Sequence, residues 1–320
     1  MSNVKNKKLE EIIKKIFIPE NDSHKGKNGR LLIIGGSHLF HAASLWALKV
    51  ASRIVDLVHY SSIEENNKIV QGLKEEFRDG IVVSRSEIES YIEEDDCILI
   101  GPGMLRAENS KLKTPASAEA SAGRQNLKLQ LKIQKLEDIL KLKDEGMQTY
   151  YLTKYLLQKY PKKKWTIDAG ALQMIDPEDI PENSILTPHK KELDLLKAKI
   201  PSFAKASTGK QNSKEDIKYF ADKYNCIILL KGKEDMVASK DKMEVIQGGN
   251  AGMTKGGTGD VLAGLVAALY CKNDAFVSAI TASYINKQAG EELYKKMGLW
   301  FNASDLADQI PMTMKRLLLD

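Results

Sequence analysis

Four or more consecutive apolar residues running straight into a glycine-bearing end recur along this chain. The clearest cases are Leu31-Leu-Ile-Ile-Gly-Gly-Ser, Cys97-Ile-Leu-Ile-Gly-Pro-Gly and Cys226-Ile-Ile-Leu-Leu-Lys-Gly. Such a run offers no polar face to water, so as a strand it must be covered on both sides, which is the situation of a central parallel strand. Weaker strand candidates are Leu57-Val-His-Tyr, Ile81-Val-Val, Trp165-Thr-Ile-Asp-Ala-Gly and Ser184-Ile-Leu-Thr-Pro-His. Residues 235–240 and 242–247 read as a hairpin turning at Lys240-Asp241. Helices are expected over residues 9–17, 42–53, 260–270, 275–297 and 304–317, with Ser304 as N-cap of the last. Short apolar strands alternating with helical segments predict a doubly wound α/β domain. Ligands then bind at the carboxyl ends of the strands. Six such ends carry glycine or polar residues: Gly35-Gly-Ser, Gly101-Pro-Gly, Asp168-Ala-Gly, Thr187-Pro-His, Lys231-Gly and the stretch from Gly248 to Gly264.

That last stretch holds seven glycines in seventeen residues and feeds directly into an apolar helix. Bare backbone before a helix N-terminus is suited to cradling an anion. Asp260 is the only acid in the loop. It reads either as an N-cap or as a base beside a bound phosphate. The spacing does not match a Walker P-loop or a dinucleotide fingerprint. His189 leaves a strand stiffened by Pro188 and is either a site residue or a solvent-facing loop histidine. Glu192, three residues on, is expected to cap the following helix. Lys231 meets phosphate or base, or snorkels from its strand end. Asp168 orients a loop or holds water around Mg2+. His59 is expected to pack within its strand, and His38 and His41 to be structural or surface residues. The small residues of the helix over 42–53 suit close approach by the domain's own core or by a partner subunit.

The formal charge of +5, from 48 basic and 43 acidic residues, is too small to imply a nucleic-acid partner. No apolar run reaches membrane-spanning length, and the polar start lacks a signal peptide's apolar segment, so a cytoplasmic protein is expected. Cys97, Cys226 and Cys271 lie far apart and read as buried reduced thiols. Residues 1–24 read as a helical extension and 25–320 as one catalytic domain, with surface insertions near 106–130 and 200–213. Within these insertions, residues 115–125 and 201–211 are similar small-residue segments with six of eleven positions identical.

The segments Gly29-Arg-Leu-Leu-Ile-Ile-Gly-Gly-Ser, Ile100-Gly-Pro-Gly-Met, Asp168-Ala-Gly-Ala-Leu, Leu186-Thr-Pro-His-Lys-Lys-Glu, Leu230-Lys-Gly and Asn250-Ala-Gly-Met-Thr-Lys-Gly-Gly-Thr-Gly-Asp-Val-Leu-Ala-Gly occur in that order. With them the chain resembles the ribokinase-like superfamily and, within it, the ADP- or ATP-dependent NAD(P)H-hydrate dehydratases. The resemblance implies a three-layer α/β/α sandwich around a mostly parallel sheet. It implies repair of hydrated NADH and NADPH by phosphorylation of the ring hydroxyl and elimination of phosphate, a lyase reaction with Mg2+ accompanying the phosphates. Asp260 would be the base, and the Gly257, Thr258 and Gly259 amides the anion hole. Ala43, Gly103 and His189, with Asp260, would contact substrate. Lys231, Gly232, Lys233, Glu234 and Asp235, with Gly259, would lie against the nucleotide. A homo-oligomer, dimer or tetramer, is expected.

Four departures stand out: Gly170 where the family has a second Asp, Lys190-Lys191 in place of Pro-Gly, Ala42-Ala43 in place of Gly-Ala, and Arg53-Ile-Val in place of Gly-Ala-Gly. The changes at Gly170 and Lys190-Lys191 leave open a kinase of the same fold acting on another small alcohol; a nucleotide-binding protein without turnover is a third reading, which the intact Asp260 disfavours.

Overall fold

Residues 9, 11–107, 135–200 and 214–320 are described by a computed structural model. The two similar small-residue segments lie outside the described residues. Nine strands form one sheet: β1 (Arg30–Ile34), β2 (Leu57–Ser61), β3 (Ile81–Val82), β4 (Cys97–Ile100), β5 (Lys164–Ile167), β6 (Ile185–Leu186), β7 (Ile227–Leu230), β8 (Asp235–Ala238) and β9 (Met243–Ile246). Their order is β3-β2-β1-β4-β5-β6-β7-β8-β9. Every pair from β3 to β7 is parallel, and β8 and β9 add an antiparallel edge. The expected hairpin is this edge. The parallel strands therefore deliver all their carboxyl ends to one side of the sheet.

The helices are α1 (Ala43–Ala51), α2 (Glu64–Gly72), α3 (Ile88–Glu94), α4 (Leu136–Leu140), α5 (Glu145–Lys159), α6 (Ala169–Met174), α7 (Lys190–Ala198), α8 (Lys214–Lys223), α9 (Thr258–Lys272), α10 (Ala275–Met297) and α11 (Ala303–Leu318). Side chains alternate across a strand, and the unbroken apolar runs fill two cores at once. Leu31, Ile33, Cys97 and Leu99 pack with α1, α9, α10 and α11. Their neighbours Leu32, Ile34, Ile98 and Ile100 pack with α3, α5, α7 and α8 on the other face. This is the expected α/β/α sandwich. All four residues of β4 are fully buried, so trimming Leu99 to Ala would cost about 2–5 kcal/mol. Leu9, Ile13 and Ile16 of the N-terminal segment belong to the first core. All three cysteines are buried and free.

Helix α9 is the central covering element, and its residues from Val261 to Cys271 are all buried. A side chain on Gly264 would come within 2.7 Å of the Ala47 Cα, so the glycine lets α9 and α1 approach closely. The alanine-rich face of α1 thus meets its own core: Ala47 and Ala51 are fully buried.

Two expected caps are corrected. Helix α11 begins at Ala303, where Asn302 accepts from Ser304 and Asp305 N–H while the Asp305 carboxylate accepts from Asn302 N–H. That reciprocal box moves the start ahead of Ser304. Helix α9 begins at Thr258 after Gly257, whose φ is +93°, so Asp260 lies inside the first turn and does not cap it.

Candidate active site

The ends of β5, β6 and β7 lie side by side, and their first residues interlock. Asp168 Oδ1 accepts from Thr187 Oγ1 at 2.7 Å and from Lys231 Nζ at 2.9 Å. Lys231 N–H donates to the Pro188 carbonyl at 2.8 Å, continuing the parallel pairing past β6 and β7. Asp168 is buried. Burial pulls the Lys231 ammonium down, but the carboxylates of Asp168, Glu192 and Asp260 together outweigh it and the net shift is upward. Lys231 therefore stays charged, and its Nζ lies 3.6 Å from where a Gly259 side chain would begin.

Gly259 and Asp260 stand in the first turn of α9, where backbone N–H groups have no intrahelical acceptor. The left-handed Gly257 turns the chain into that helix. A side chain there would strike the Trp46 ring at 2.4 Å and Ala303 at 2.7 Å. Thr258 is buried, its hydroxyl donating to the Met253 and Lys255 carbonyls at 2.7 and 2.8 Å. It shapes the loop, and its own N–H turns back to the Lys255 carbonyl at 3.4 Å. Asp260 is half-buried. Burial first, and then the negative Asp168, push its carboxyl up to about 7, with Lys231 pulling the other way. A carboxyl poised near neutrality, beside a fixed cation and unpaired helix amides, has the properties of a general base facing a phosphoryl group.

Among the residues expected to contact substrate, Gly103 touches Ala43, whose Cβ lies 2.9 Å from the position a Gly103 side chain would take. Gly101 continues the line, since a side chain on it would overlap the Asp168 carbonyl. Ala43, Gly103, Asp168, Lys231 and Asp260 thus form one connected series. His189 is the N-cap of α7 in a reciprocal box with Glu192. Its Nδ1 accepts from Glu192 N–H at 3.2 Å and its own N–H donates to Glu192 Oε2 at 2.8 Å. This assigns the neutral ring's proton to Nε2. The side chain is 52% exposed, so Nε2–H is presented to solvent at the same strand ends. Glu192 caps, as expected.

The nucleotide-side set divides. The Asp235 side chain is buried and taken up inside the protein: it accepts from Gly232 N–H at 2.9 Å and Ser283 Oγ at 2.8 Å, and pairs with Lys287 at 3.3 Å. Glu234 is exposed and accepts from Gln247. Gly232 and Lys233 turn their carbonyls inward to Lys287 Nζ, both at 3.2 Å, and that ammonium also reaches the Gly248 carbonyl at 3.3 Å. Lys287 therefore fastens the turn after β7 to the start of the glycine loop. Sequence reasoning missed it. Its only signal was a lysine among the small and apolar residues of α10.

His59 is buried against Asp95 at 2.8 Å and tilts onto Tyr91, a packing role. His38 pairs with Glu145, and His41 with Asn66. Gly170 has a definite cause: a side chain there would sit 2.0 Å from the Met104 carbonyl, so the loop after β4 occupies the place of the family's second Asp. Among the described residues, no group of three or more His, Cys, Asp or Glu side chains is placed to hold a metal ion. Asp168 and Asp260 with phosphate oxygens would suit a divalent ion carried by a nucleotide, since Asp168 Oδ2 is used in neither bond above.

The sequence model of a family described as NAD(P)H-hydrate dehydratase matches residues 142–312. A bifunctional NAD(P)H-hydrate repair enzyme from Methanocaldococcus jannaschii is 33% identical over 92% of this chain and 50% of its own length. The chain thus spans about half the length of that relative. An ADP-dependent (S)-NAD(P)H-hydrate dehydratase from Nitrosopumilus maritimus is 31% identical over 97% of both chains. Among solved structures, a ribokinase-like superfamily protein from Enterococcus faecalis superposes with a TM-score of 0.69 at 22% identity, over 97% of this chain and 95% of that one. The ADP/ATP-dependent NAD(P)H-hydrate dehydratase of Bacillus subtilis, co-crystallised with ATP and Mg2+, gives 0.67 at 21% over 96% and 97%. These two share the fold, which is the ribokinase-like one expected. With a family match over more than half its residues and a relative aligned along nearly its full length, the chain belongs to the NAD(P)H-hydrate dehydratase family.

Proposed function

We propose that this protein dehydrates hydrated NADH and NADPH with ADP or ATP as phosphoryl donor. The observation that carries the reading is Asp260, held near neutrality at the mouth of α9 beside Lys231. Asp260 takes the proton of the ring hydroxyl as its oxygen attacks the donor's terminal phosphorus, releasing AMP or ADP. The Gly257, Thr258 and Gly259 amides and Lys231 receive the charge on the transferring phosphoryl oxygens. The phosphate then leaves with the C–O bonding pair, drawn by the ring nitrogen's lone pair. Loss of a proton from the neighbouring carbon restores the reduced ring. His189 Nε2–H and the bare surface of Gly103 and Ala43 orient the substrate, while the turn from Lys231 to Asp235 borders the donor. Mg2+ bound with the phosphates would neutralise part of their charge. The protein would work in the cytoplasm, as a dimer or tetramer, with neither nucleic acid nor membrane as partner. In support, no helix among the described residues is long and apolar enough to cross a membrane.

The substrate-side departures at Gly170 and Lys190-Lys191 favour one second reading, a kinase that retains its phosphorylated product. Incubation with hydrated NADH, Mg2+ and ADP or ATP separates the two. Recovery of reduced-nicotinamide absorbance with stoichiometric free phosphate supports dehydration. No recovery with either donor sinks it.

A further inference from the structure

The carboxyl ends of β2 and β3 open onto a cavity of about 590 Å³, apart from the Asp260 site. Arg85 forms part of its wall, with Ser62, Lys68, Ser84, Ser86 and Gln148. Arg85 is only 9% exposed. Its Nη1 donates to Gln148 Oε1 at 2.8 Å, and its Nη2 to the Gly35 and Gly36 carbonyls at 2.9 and 3.3 Å. Its Nε–H is buried and has no hydrogen-bond partner among the described residues. All three acceptors are neutral, and the guanidinium makes no ion pair among the described residues. Burial accordingly pulls it down to about 10, with the charge of Glu145 partly opposing.

A guanidinium is a costly way to hold two carbonyls, because a buried cation without a counter-charge is destabilising. A neutral amide could make those bonds. What distinguishes arginine is the planar fork of charged donors that fits phosphate oxygens. Here that fork has an orphan N–H, adjoins an open cavity, and has hydroxyls from Ser84 and Ser86 and an ammonium from Lys68 around it. Glu64, on the same rim, is already paired with Lys68 at 2.7 Å. We propose that this cavity is a second phosphate-binding site, with Arg85 at its base and Lys68, Ser84 and Ser86 at its rim. It backs onto the substrate side of the molecule. Gly36 separates the two: its Cα lies 3.3 Å from where a Gly103 side chain would begin, and its own missing side chain would meet Ser62 Oγ at 2.2 Å. The phosphate has two possible sources, a phosphate group of a bound dinucleotide or free inorganic phosphate.

Crystals of the full chain soaked in tungstate, a heavy phosphate mimic, should show an anomalous peak within hydrogen-bonding reach of Arg85, distinct from any peak at the Gly257–Gly259 amides. Absence of a peak at Arg85 overturns the proposal. Displacement of that peak by NADP+ assigns the site to dinucleotide phosphate, and its persistence assigns it to free phosphate. The Arg85→Gln variant should lose the peak. Because that change also touches the glycine loop, Lys68→Glu supplies the control: it leaves every Arg85 bond in place and should weaken orthophosphate binding at this site about tenfold, or ~1.4 kcal/mol. Unchanged binding in Lys68→Glu together with a retained peak in Arg85→Gln would overturn it equally. None of these readings depends on turnover, so the site stands or falls separately from the dehydratase reading.

Discussion

Replacing Asp260 by Asn should make the protein more stable, and increasingly so as pH rises. The carboxyl lies at about 7 in the fold against an ordinary 3.8. Between those values the native state binds a proton that the unfolded chain has lost, so native stability falls as pH rises through this window and levels off above about 7. Roughly three units at about 1.4 kcal/mol each put the cost of the ionised group near 4 kcal/mol at about pH 8.5. At about pH 5.5 the native carboxyl is neutral and only the unfolded one is ionised, which leaves a cost of about 2 kcal/mol. Asparagine carries no such dependence. The stability gap between Asp260→Asn and the parent should therefore widen by about 2 kcal/mol between these two pH values, or about 3 °C in Tm. Groups that do not face Asp260 are common to both proteins and cancel, and Asp168 and Lys231, which do face it, keep their charges across this pH range. Thermal unfolding of ligand-free protein followed by circular dichroism at both pH values measures the gap. A gap that does not change with pH would refute the claim that burial and Asp168 hold this carboxyl up. A variant less stable than the parent at both values would do the same.

The activity of the parent should fall below about pH 7, because protonated Asp260 cannot accept the hydroxyl proton. A pH profile of kcat/KM that stays flat from about 6 to 8 would remove it as the base. Lys287→Met should raise the KM for the nucleotide roughly tenfold while changing kcat less, since it frees the turn at Gly232 and Lys233 from Gly248 without touching the reacting atoms. Lys287→Arg should restore part of the loss, and steady-state kinetics at varied ADP would show both effects. Gly170→Asp should lower stability by about 1–3 kcal/mol through overlap with the Met104 carbonyl. Because the obstacle is backbone, the double change with Met104→Ala should not recover the melting temperature.

The parts of the site legible in the sequence are those whose cause is local. An apolar run that ends on glycine carries its own explanation, as in β1, β4 and β7, while β8 and β9 are legible as a hairpin and the others, including the two-residue β3, only as short apolar segments. The glycine loop before α9 announces an anion cradle for the same reason. The rest depends on partners far along the chain. Lys287 acts on carbonyls 55, 54 and 39 residues away. Arg85 reaches back 50 residues to Gly35. Gly170 is explained only by the loop after β4. Even the cap of α11 was misplaced by two residues, because Ser304 is an adequate cap until the reciprocal bonds of Asn302 and Asp305 are seen.

Trp46 has a use as a reporter. Its ring fills the space beside Gly257 and its Nε1–H donates to Ser304 Oγ at 3.2 Å. The other two indoles lie at opposite extremes, Trp165 fully buried in the second core and Trp300 at 85% exposure. Intrinsic emission therefore has a blue component indifferent to ligands, a red one set by water, and an intermediate one touching the loop proposed to hold phosphate. With Trp300→Phe removing the red background, nucleotide binding becomes an optical signal that needs no dye.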